Sequence, residues 1–142
     1  MISPDVNVLV YAARDDAPRH TEFRTWLDEA LAAQEPMGIS ELVLSGALRV
    51  LTNPRIFNPP MPMIDAAAYV AALRNHPRVV SLRSGVRHWS IFLELCRSGG
   101  VRGNLVANAY HAALAIEHGT EWISTDRDFA RFPGLRWRSP VE

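Results

Sequence analysis

The stretch Met1-Ile-Ser-Pro-Asp-Val-Asn-Val-Leu-Val-Tyr11 places one acid, Asp5, inside an apolar opening of the chain. A carboxylate in apolar surroundings is costly to bury unless it is paired, hydrogen-bonded or bound to a cation. Pro4 disfavours one long central strand here because it lacks the N–H that a strand ladder needs. The pattern therefore predicts a short buried strand that ends near Asp5, followed by a helix that starts at Asn7 as its N-cap and runs to Ala13.

Two interpretations of Asp5 are open at this point. Ligands in open parallel sheets collect outside the carboxyl ends of the strands, which is where this acid would lie. Alternatively, Asp5 is only a helix cap, a role that aspartate fills often. The position of Asp5 alone does not separate a functional acid from a capping one.

Composition narrows the class of protein without naming a partner. The chain has 142 residues, 48% of them hydrophobic and 21% charged, which is typical of one soluble globular domain spanning residues 1–142. Fifteen basic and fifteen acidic residues cancel. Cys96 is the single cysteine and the start of the chain carries no signal-peptide pattern, so we expect a cytoplasmic protein with no membrane span.

Amphipathic helical segments alternate with short apolar runs along the chain. This alternation favours an α/β sandwich around a largely parallel sheet. A proline-rich loop at 53–62 joins its two halves. After the first strand and helix, the predicted helices are 19–33, 41–52 capped by Ser40, 64–73, 88–97 and 103–117, and the predicted extended pieces are 36–40, 79–82, 121–125 and 135–137.

Acids follow three of the predicted strands. Asp5 and Asp126 lie near strand ends, Glu41 follows a third, and Asp128 is close to Asp126. Parallel strands place their carboxyl ends on one rim, so these distant residues are expected to meet there. Clustered carboxylates repel and usually imply a hard divalent cation, and oxygen ligands favour Mg²⁺ or Mn²⁺. Such a site is suited to metal-dependent phosphodiester cleavage.

Four segments carry a resemblance to a known family. They are Asp5-Val-Asn-Val-Leu-Val-Tyr-Ala12, Ser40-Glu-Leu-Val-Leu-Ser45, Gly103-Asn-Leu-Val-Ala-Asn-Ala-Tyr-His-Ala-Ala-Leu-Ala115 and Ser124-Thr-Asp-Arg-Asp-Phe-Ala-Arg-Phe132. In this order and spacing they resemble the motifs of PIN-domain ribonucleases, with the greatest similarity to the VapC toxins of bacterial toxin–antitoxin pairs. The resemblance covers essentially the whole chain.

The resemblance implies a three-layer α/β/α fold with about five short strands and an endoribonuclease that depends on Mg²⁺, with Mn²⁺ as a substitute. It also implies structured RNA such as tRNA or rRNA as substrate, a homodimer and inhibition by a cognate VapB-like antitoxin. The family's metal-binding acids correspond to Asp5, Glu41 and Asp126, with Asp128 a less certain addition.

Asn108 departs from the family pattern, which usually has an aspartate there. Asn104 lies one helical turn earlier on the predicted helix, so this surface stays polar while the fourth acid is absent. An amide oxygen still ligates a metal but brings no charge, so we expect weakened metal binding and reduced activity. A natural variant, a degenerate toxin and an engineered substitution all account for Asn108. Asn7, Asn104 and Thr125 are candidate supporting residues, and Thr125 is preferred over Ser124 for contact with a metal-bound water.

Two alternatives accompany the nuclease hypothesis. Asn108 keeps open a catalytically impaired PIN-fold module that binds antitoxin or RNA without efficient cleavage. A phosphatase-like or response-regulator-like domain would need a downstream lysine, and all fifteen basic residues are arginines. The second alternative is therefore disfavoured.

Overall fold

Five short strands form one parallel sheet in the computed structural model, which describes residues 1–142. Six α-helices and one 3₁₀ turn connect the strands. In chain order the elements are β1 (Ile2–Pro4), α1 (Val6–Ala13), α2 (His20–Ala32), β2 (Met37–Ser40), α3 (Glu41–Leu51), α4 (Met63–Arg74), β3 (Val79–Leu82), α5 (His88–Ser98), α6 (Leu105–His118), β4 (Glu121–Ile123), the 3₁₀ turn (Arg127–Arg131) and β5 (Trp137–Arg138).

The strand order β3-β2-β1-β4-β5 explains the three layers. The chain steps outward from β1 to β2 and β3, then returns across the sheet to β4. Because parallel crossovers are right-handed, the helices of the outward steps and those of the return step cover opposite faces. Accordingly, α1 to α4 pack on one another in one layer, and α5 packs on α6 in the other. The predicted α/β/α sandwich is confirmed, and the sheet is entirely parallel.

The first strand ends where the sequence predicts, but the following helix begins differently. The backbone N–H of Asp5 donates to the carbonyl of Ile123 on β4 (2.8 Å), so strand pairing extends just beyond Pro4. Asp5 has extended backbone angles, and its side chain accepts from the N–H of Val6. The N-cap of α1 is therefore Asp5, and the predicted cap at Asn7 is wrong: Asn7 lies within the first turn of the helix.

Several predicted boundaries also shift. Helix α6 begins at Leu105, so Asn104 is its N-cap residue rather than a member of its first turn. Strand β4 stops at Ile123 and β5 starts at Trp137 instead of 135. The predicted cap of α3 at Ser40 is confirmed, since its Oγ accepts from the N–H of Val43 at 3.1 Å.

The core lies on both faces of the sheet and extends between α1 and α3. Its largest fully buried members include Leu9, Met37, Ile39, Leu51, Ile123 and Phe129. Burial of such side chains contributes about 1.5–3 kcal/mol each. No helix is long and apolar enough to cross a membrane.

Gly46 allows α3 to approach α1 closely. A Cβ built on Gly46 would lie 2.7 Å from Cγ2 of Val6, which is the residue after Asp5. Valine is stiff at χ1 in a helix, so this contact has little room to relax. The missing Cβ thus helps fix the start of α1 and, through it, the position of Asp5.

His111 is a buried titratable residue within this core. Its ring stacks on Trp122 with centroids 5.3 Å apart, and its Nδ1 has no hydrogen-bond partner. Burial lowers the pKa of His111 to about 4. The ring is therefore neutral at neutral pH, and a packing role rather than an ionic one follows.

We predict that Gly46→Ala lowers the free energy of unfolding by about 1 kcal/mol, because the overpacking cost outweighs the gain in helix propensity. In a Val6→Ala background the clash is gone, so the same change should stabilise the protein by about 1 kcal/mol. Urea denaturation of wild type, the two single variants and the double variant measures these free energies of unfolding. Equal effects in the two backgrounds would contradict this close contact.

We predict that His111→Phe removes part of the protein's acid sensitivity. A buried histidine with a lowered pKa adds stability above its ordinary pKa, and this is lost as the pH falls from about 6.5 towards 4. As the pH falls from about 6.5 to about 4, the free energy of unfolding of the variant should rise by on the order of 3 kcal/mol relative to that of wild type. Parallel denaturation curves at pH 7 and pH 4 measure this. If the difference in unfolding free energy between the two proteins is the same at pH 7 and pH 4, His111 is not a buried neutral ring.

Candidate metal centre

The carboxyl ends of β1, β2 and β4 bring the candidate acids to one rim of the sheet. Asp5 directly follows β1, Glu41 directly follows β2, and Asp126 lies three residues beyond the end of β4. β1 and β4 are neighbours at the point where the direction of chain winding reverses. In open α/β sheets this switch point forms the crevice that binds ligands.

A buried serine connects the two acids nearest the switch point. Oγ of Ser124 donates to Oδ2 of Asp5 at 2.6 Å and accepts from the backbone N–H of Asp126 at 3.0 Å. Ser124 is completely buried, and Asp5 is only 8% exposed. Oδ1 of Asp5 accepts from the N–H of Val6 at 2.7 Å. Both oxygens of Asp5 are thus oriented by the fold while retaining further lone pairs.

Asp126 is oriented by its neighbours in the same way. Its Oδ1 accepts from the backbone N–H of Asp128 at 2.9 Å, and its Oδ2 accepts from Nδ2 of Asn108 at 3.1 Å. Helix α6 thereby contributes one amide to the rim. In this arrangement Asn108 presents a donor to the carboxylate, where an aspartate would present a second negative charge.

The electrostatics of Asp5 are unfavourable in the absence of a cation. Burial raises the pKa of Asp5, the hydrogen bonds from Ser124 and Val6 oppose that rise, and the negative charge of Asp126 adds to it. None of the ion pairs in the chain involves Asp5 or Asp126. Two neighbouring carboxylates therefore lack a basic side chain to neutralise them.

Glu41 lies on the rim but is turned to another partner. Its carboxylate pairs with Arg74 of α4 at 3.3 Å, and its side chain is 67% exposed. Asp128 likewise pairs with Arg131, at 3.8 Å. Nowhere in the chain do three or more His, Cys, Asp or Glu side chains converge in an arrangement that would hold a metal ion.

The residues that are present fit a hard divalent cation. The two carboxylates at the switch point are oxygen ligands suited to Mg²⁺, Mn²⁺ or Ca²⁺ rather than zinc, and the amide of Asn108 lies against one of them. A cation there would also favour the ionised form of Asp5, whose pKa is raised by burial first and by the charge of Asp126 second. The fit rests on Asp5, Asp126 and Asn108, with Glu41 available only if it leaves Arg74.

The structure brings together some of the predicted site residues and adds Ser124, which the sequence pattern does not favour over Thr125. Asp5, Asp126 and Asn108 meet, whereas Asn7, exposed Asn104 and Thr125 make no side-chain hydrogen bond. Ser124, and not Thr125, hydrogen-bonds the carboxylate of Asp5. The signal was a small polar residue two positions before Asp126, the spacing at which a serine oxygen accepts from a following backbone N–H.

Comparison with known proteins identifies the family of this chain. The family model described as PIN domain matches residues 2–135. Ribonuclease VapC43 of Mycobacterium tuberculosis is 44% identical over 142 residues, covering 100% of this chain and 97% of the relative. Ribonuclease VapC25 of the same species is 41% identical over 136 residues, covering 96% of each chain.

Solved structures show the same fold at low identity. VapBC2 from Rickettsia felis, bound to a DNA fragment from its promoter, aligns with a TM-score of 0.69 at 16% identity, over 98% of each chain. VapC20 of Mycobacterium tuberculosis, described as a sarcin-ricin loop cleaving toxin, aligns with a TM-score of 0.66 at 19% identity, over 96% of this chain and 99% of that one. Taken with the full-length relatives, these similarities show that the chain belongs to the VapC ribonucleases of the PIN-domain family.

Proposed function

We propose that this protein is an endoribonuclease toxin that uses Mg²⁺, or Mn²⁺ in its place, to cleave structured RNA such as tRNA or rRNA. The observation that carries the proposal is the pair Asp5 and Asp126, joined through buried Ser124 and lacking any basic partner. Relatives up to 44% identical over the full length are named ribonucleases, which supports RNA as the substrate.

Asp5 and Asp126 are the residues we assign to hold the metal, with Glu41 and, less certainly, Asp128 as further acids. A divalent metal at such a site lowers the pKa of bound water and neutralises charge developing on a phosphate. Ser124 holds the Asp5 carboxylate in one orientation by its 2.6 Å bond. Asn7, Asn104 and Thr125 are assigned supporting positions on the same rim.

Asn108 favours a second candidate function. Its Nδ2 donates to Asp126 at 3.1 Å, so it satisfies that carboxylate with a neutral group instead of supplying another acid. The site therefore holds less negative charge than one with aspartate there, and weaker cation binding follows. The alternative function is a module that binds antitoxin or RNA without efficient cleavage, because Asn108 weakens cation binding.

The partner we propose is a VapB-like antitoxin, acting on a homodimer in the cytoplasm. Structural neighbours include a toxin–antitoxin complex from Klebsiella pneumoniae and DNA-bound VapBC from Salmonella typhimurium. Exposed apolar side chains provide surface for such contacts: Ile64 is 79% exposed and Met63 is 56% exposed. The single free cysteine, Cys96, is consistent with a reducing compartment.

We predict that the purified protein cleaves tRNA or rRNA with Mg²⁺ and that EDTA abolishes cleavage. Asp5→Asn should reduce cleavage about 100-fold or more, because it removes charge while an amide oxygen can still cap α1. Asp28→Asn, an exposed acid paired with Arg24 on α2, is the matched control and should cleave like wild type. Cleavage that persists in EDTA, or equal activity of the two variants, would rule out the proposed site.

We predict that Asn108→Asp strengthens Mn²⁺ binding by about 10–100-fold, since it restores a charge beside Asp126. The same change should lower the stability of the metal-free protein, because it replaces a hydrogen-bond donor with a third carboxylate. Calorimetric Mn²⁺ titration and thermal unfolding in EDTA measure the two effects.

Gln34→Glu is the matched control for that substitution. It makes the same change from amide to acid on an exposed residue before β2, at the opposite end of the sheet. Gln34→Glu should alter neither the affinity for Mn²⁺ nor the thermal stability in EDTA. If Asn108→Asp binds Mn²⁺ no better than Gln34→Glu does, Asn108 does not face the cation.

A further inference from the structure

A cleft of about 490 Å³ opens along the chain segment that carries Asp126. Its volume lies in the range of about 300–1,000 Å³ typical of small-ligand sites. Thr125 and Arg127, the two chain neighbours of Asp126, form part of its wall, so the cleft adjoins the backbone of Asp126, while the carboxylates of Asp5 and Asp126 do not line it. The lining residues come from three parts of the chain: Arg19, the pair Thr125 and Arg127, and the stretch that begins with Trp137 and Ser139.

Trp137 is an aromatic wall held in a fixed orientation. Its Nε1 donates to the backbone carbonyl of Ser124 at 3.0 Å. The same serine donates through its hydroxyl to Asp5. The indole ring is half-buried and is thus tied through one residue to the acid pair. Fixed aromatic faces are the usual platforms on which proteins stack unpaired bases.

Arg127 is the available cation of the cleft. It is exposed and makes neither an ion pair nor a side-chain hydrogen bond. Arg19, the other arginine, is already bound by the carboxylate of Glu22 and the carbonyl of Glu142. Arg131, on the same 3₁₀ turn as Arg127, pairs with Asp128 and does not line the cleft. A free guanidinium beside an aromatic wall suits a phosphate next to a stacked base.

We propose that this cleft is a nucleotide subsite, which holds one unpaired nucleotide of the RNA strand adjacent to the phosphodiester at the acid pair. The base stacks on Trp137 and the neighbouring phosphate contacts Arg127. The hydroxyls of Thr125 and Ser139 supply hydrogen-bonding groups for the sugar or the base edge. This subsite rests on the proposed function, which supplies RNA as the substrate class. It adds to that function the place where the RNA strand lies.

The test is binding of a fluorescently labelled single-stranded oligouridylate in EDTA, so that no cleavage takes place. Trp137→Leu should weaken binding by about tenfold, the size of effect seen when one base–aromatic stack is lost. Trp89→Leu, which removes an exposed tryptophan of α5 that does not line the cleft, should bind like wild type. Trp137→Phe keeps an aromatic ring but loses the N–H and part of the stacking surface, so it should bind more tightly than Trp137→Leu and within about threefold of wild type.

The salt dependence of binding separates the phosphate contact from the stack. Arg127→Ala should reduce the slope of log affinity against log salt by about 0.7, the value for one phosphate of a single strand. Arg131→Ala is the matched control on the same turn and should leave the slope unchanged. Trp137→Leu should lower affinity at every salt concentration without changing the slope.

The outcomes distinguish this subsite from the nuclease function. If Trp137→Leu binds like Trp89→Leu, or if wild type does not bind the oligouridylate, the subsite is wrong even when RNA cleavage is observed. Equal loss of binding in Trp137→Leu and Trp137→Phe would also overturn it, since that result assigns the residue a purely structural role. Selective loss in Trp137→Leu and Arg127→Ala establishes the subsite, including in a protein that binds RNA without cutting it.

Discussion

The hydrogen bond from Ser124 to Asp5 joins the two ends of the chain at the centre of the molecule. The partners are 119 residues apart in sequence, and their 2.6 Å contact is buried. A hydrogen bond to a charged group is worth about 1.5–3 kcal/mol, and leaving a buried carboxylate unpaired costs more. The bond therefore constrains how β4 is placed against β1. The candidate metal centre and the nucleotide cleft both depend on that placement, through Asp126 and Trp137.

The two interpretations of Asp5 are compatible. Asp5 caps α1 with Oδ1 and accepts from Ser124 with Oδ2, while its charge remains unneutralised by any basic side chain. Capping fixes the carboxylate where a ligand needs it, and burial together with the charge of Asp126 raises its pKa. Such perturbed groups in a crevice are typical of functional sites. Gly46 supports the arrangement because it lets α3 pack against Val6.

Much of the fold was predictable from sequence because each apolar run was short and bounded by turn or capping residues. Ser40 was identified as a cap, and Glu41 as the first residue of its helix, from local chemistry alone. The predictions fail where the alternation of side chains along a strand, or a contact between distant elements, determines the position of a side chain. Side chains alternate along extended backbone, so only one of Ser124 and Thr125 faces Asp5, and the register of β4 against β1 decides which one. The pairing of Glu41 with Arg74 depends on how α3 packs on α4, which no local pattern encodes.

The central claim is that Asp5 and Asp126 share a divalent cation despite the asparagine at 108. Anomalous diffraction from a crystal soaked in Mn²⁺ tests it most directly, because it locates the ion without relying on activity. We expect an anomalous peak within coordination distance of both carboxylates, with Ser124 still bonded to Asp5. A peak elsewhere on the rim, or no peak at Mn²⁺ concentrations that occupy the Asn108→Asp variant, would contradict it.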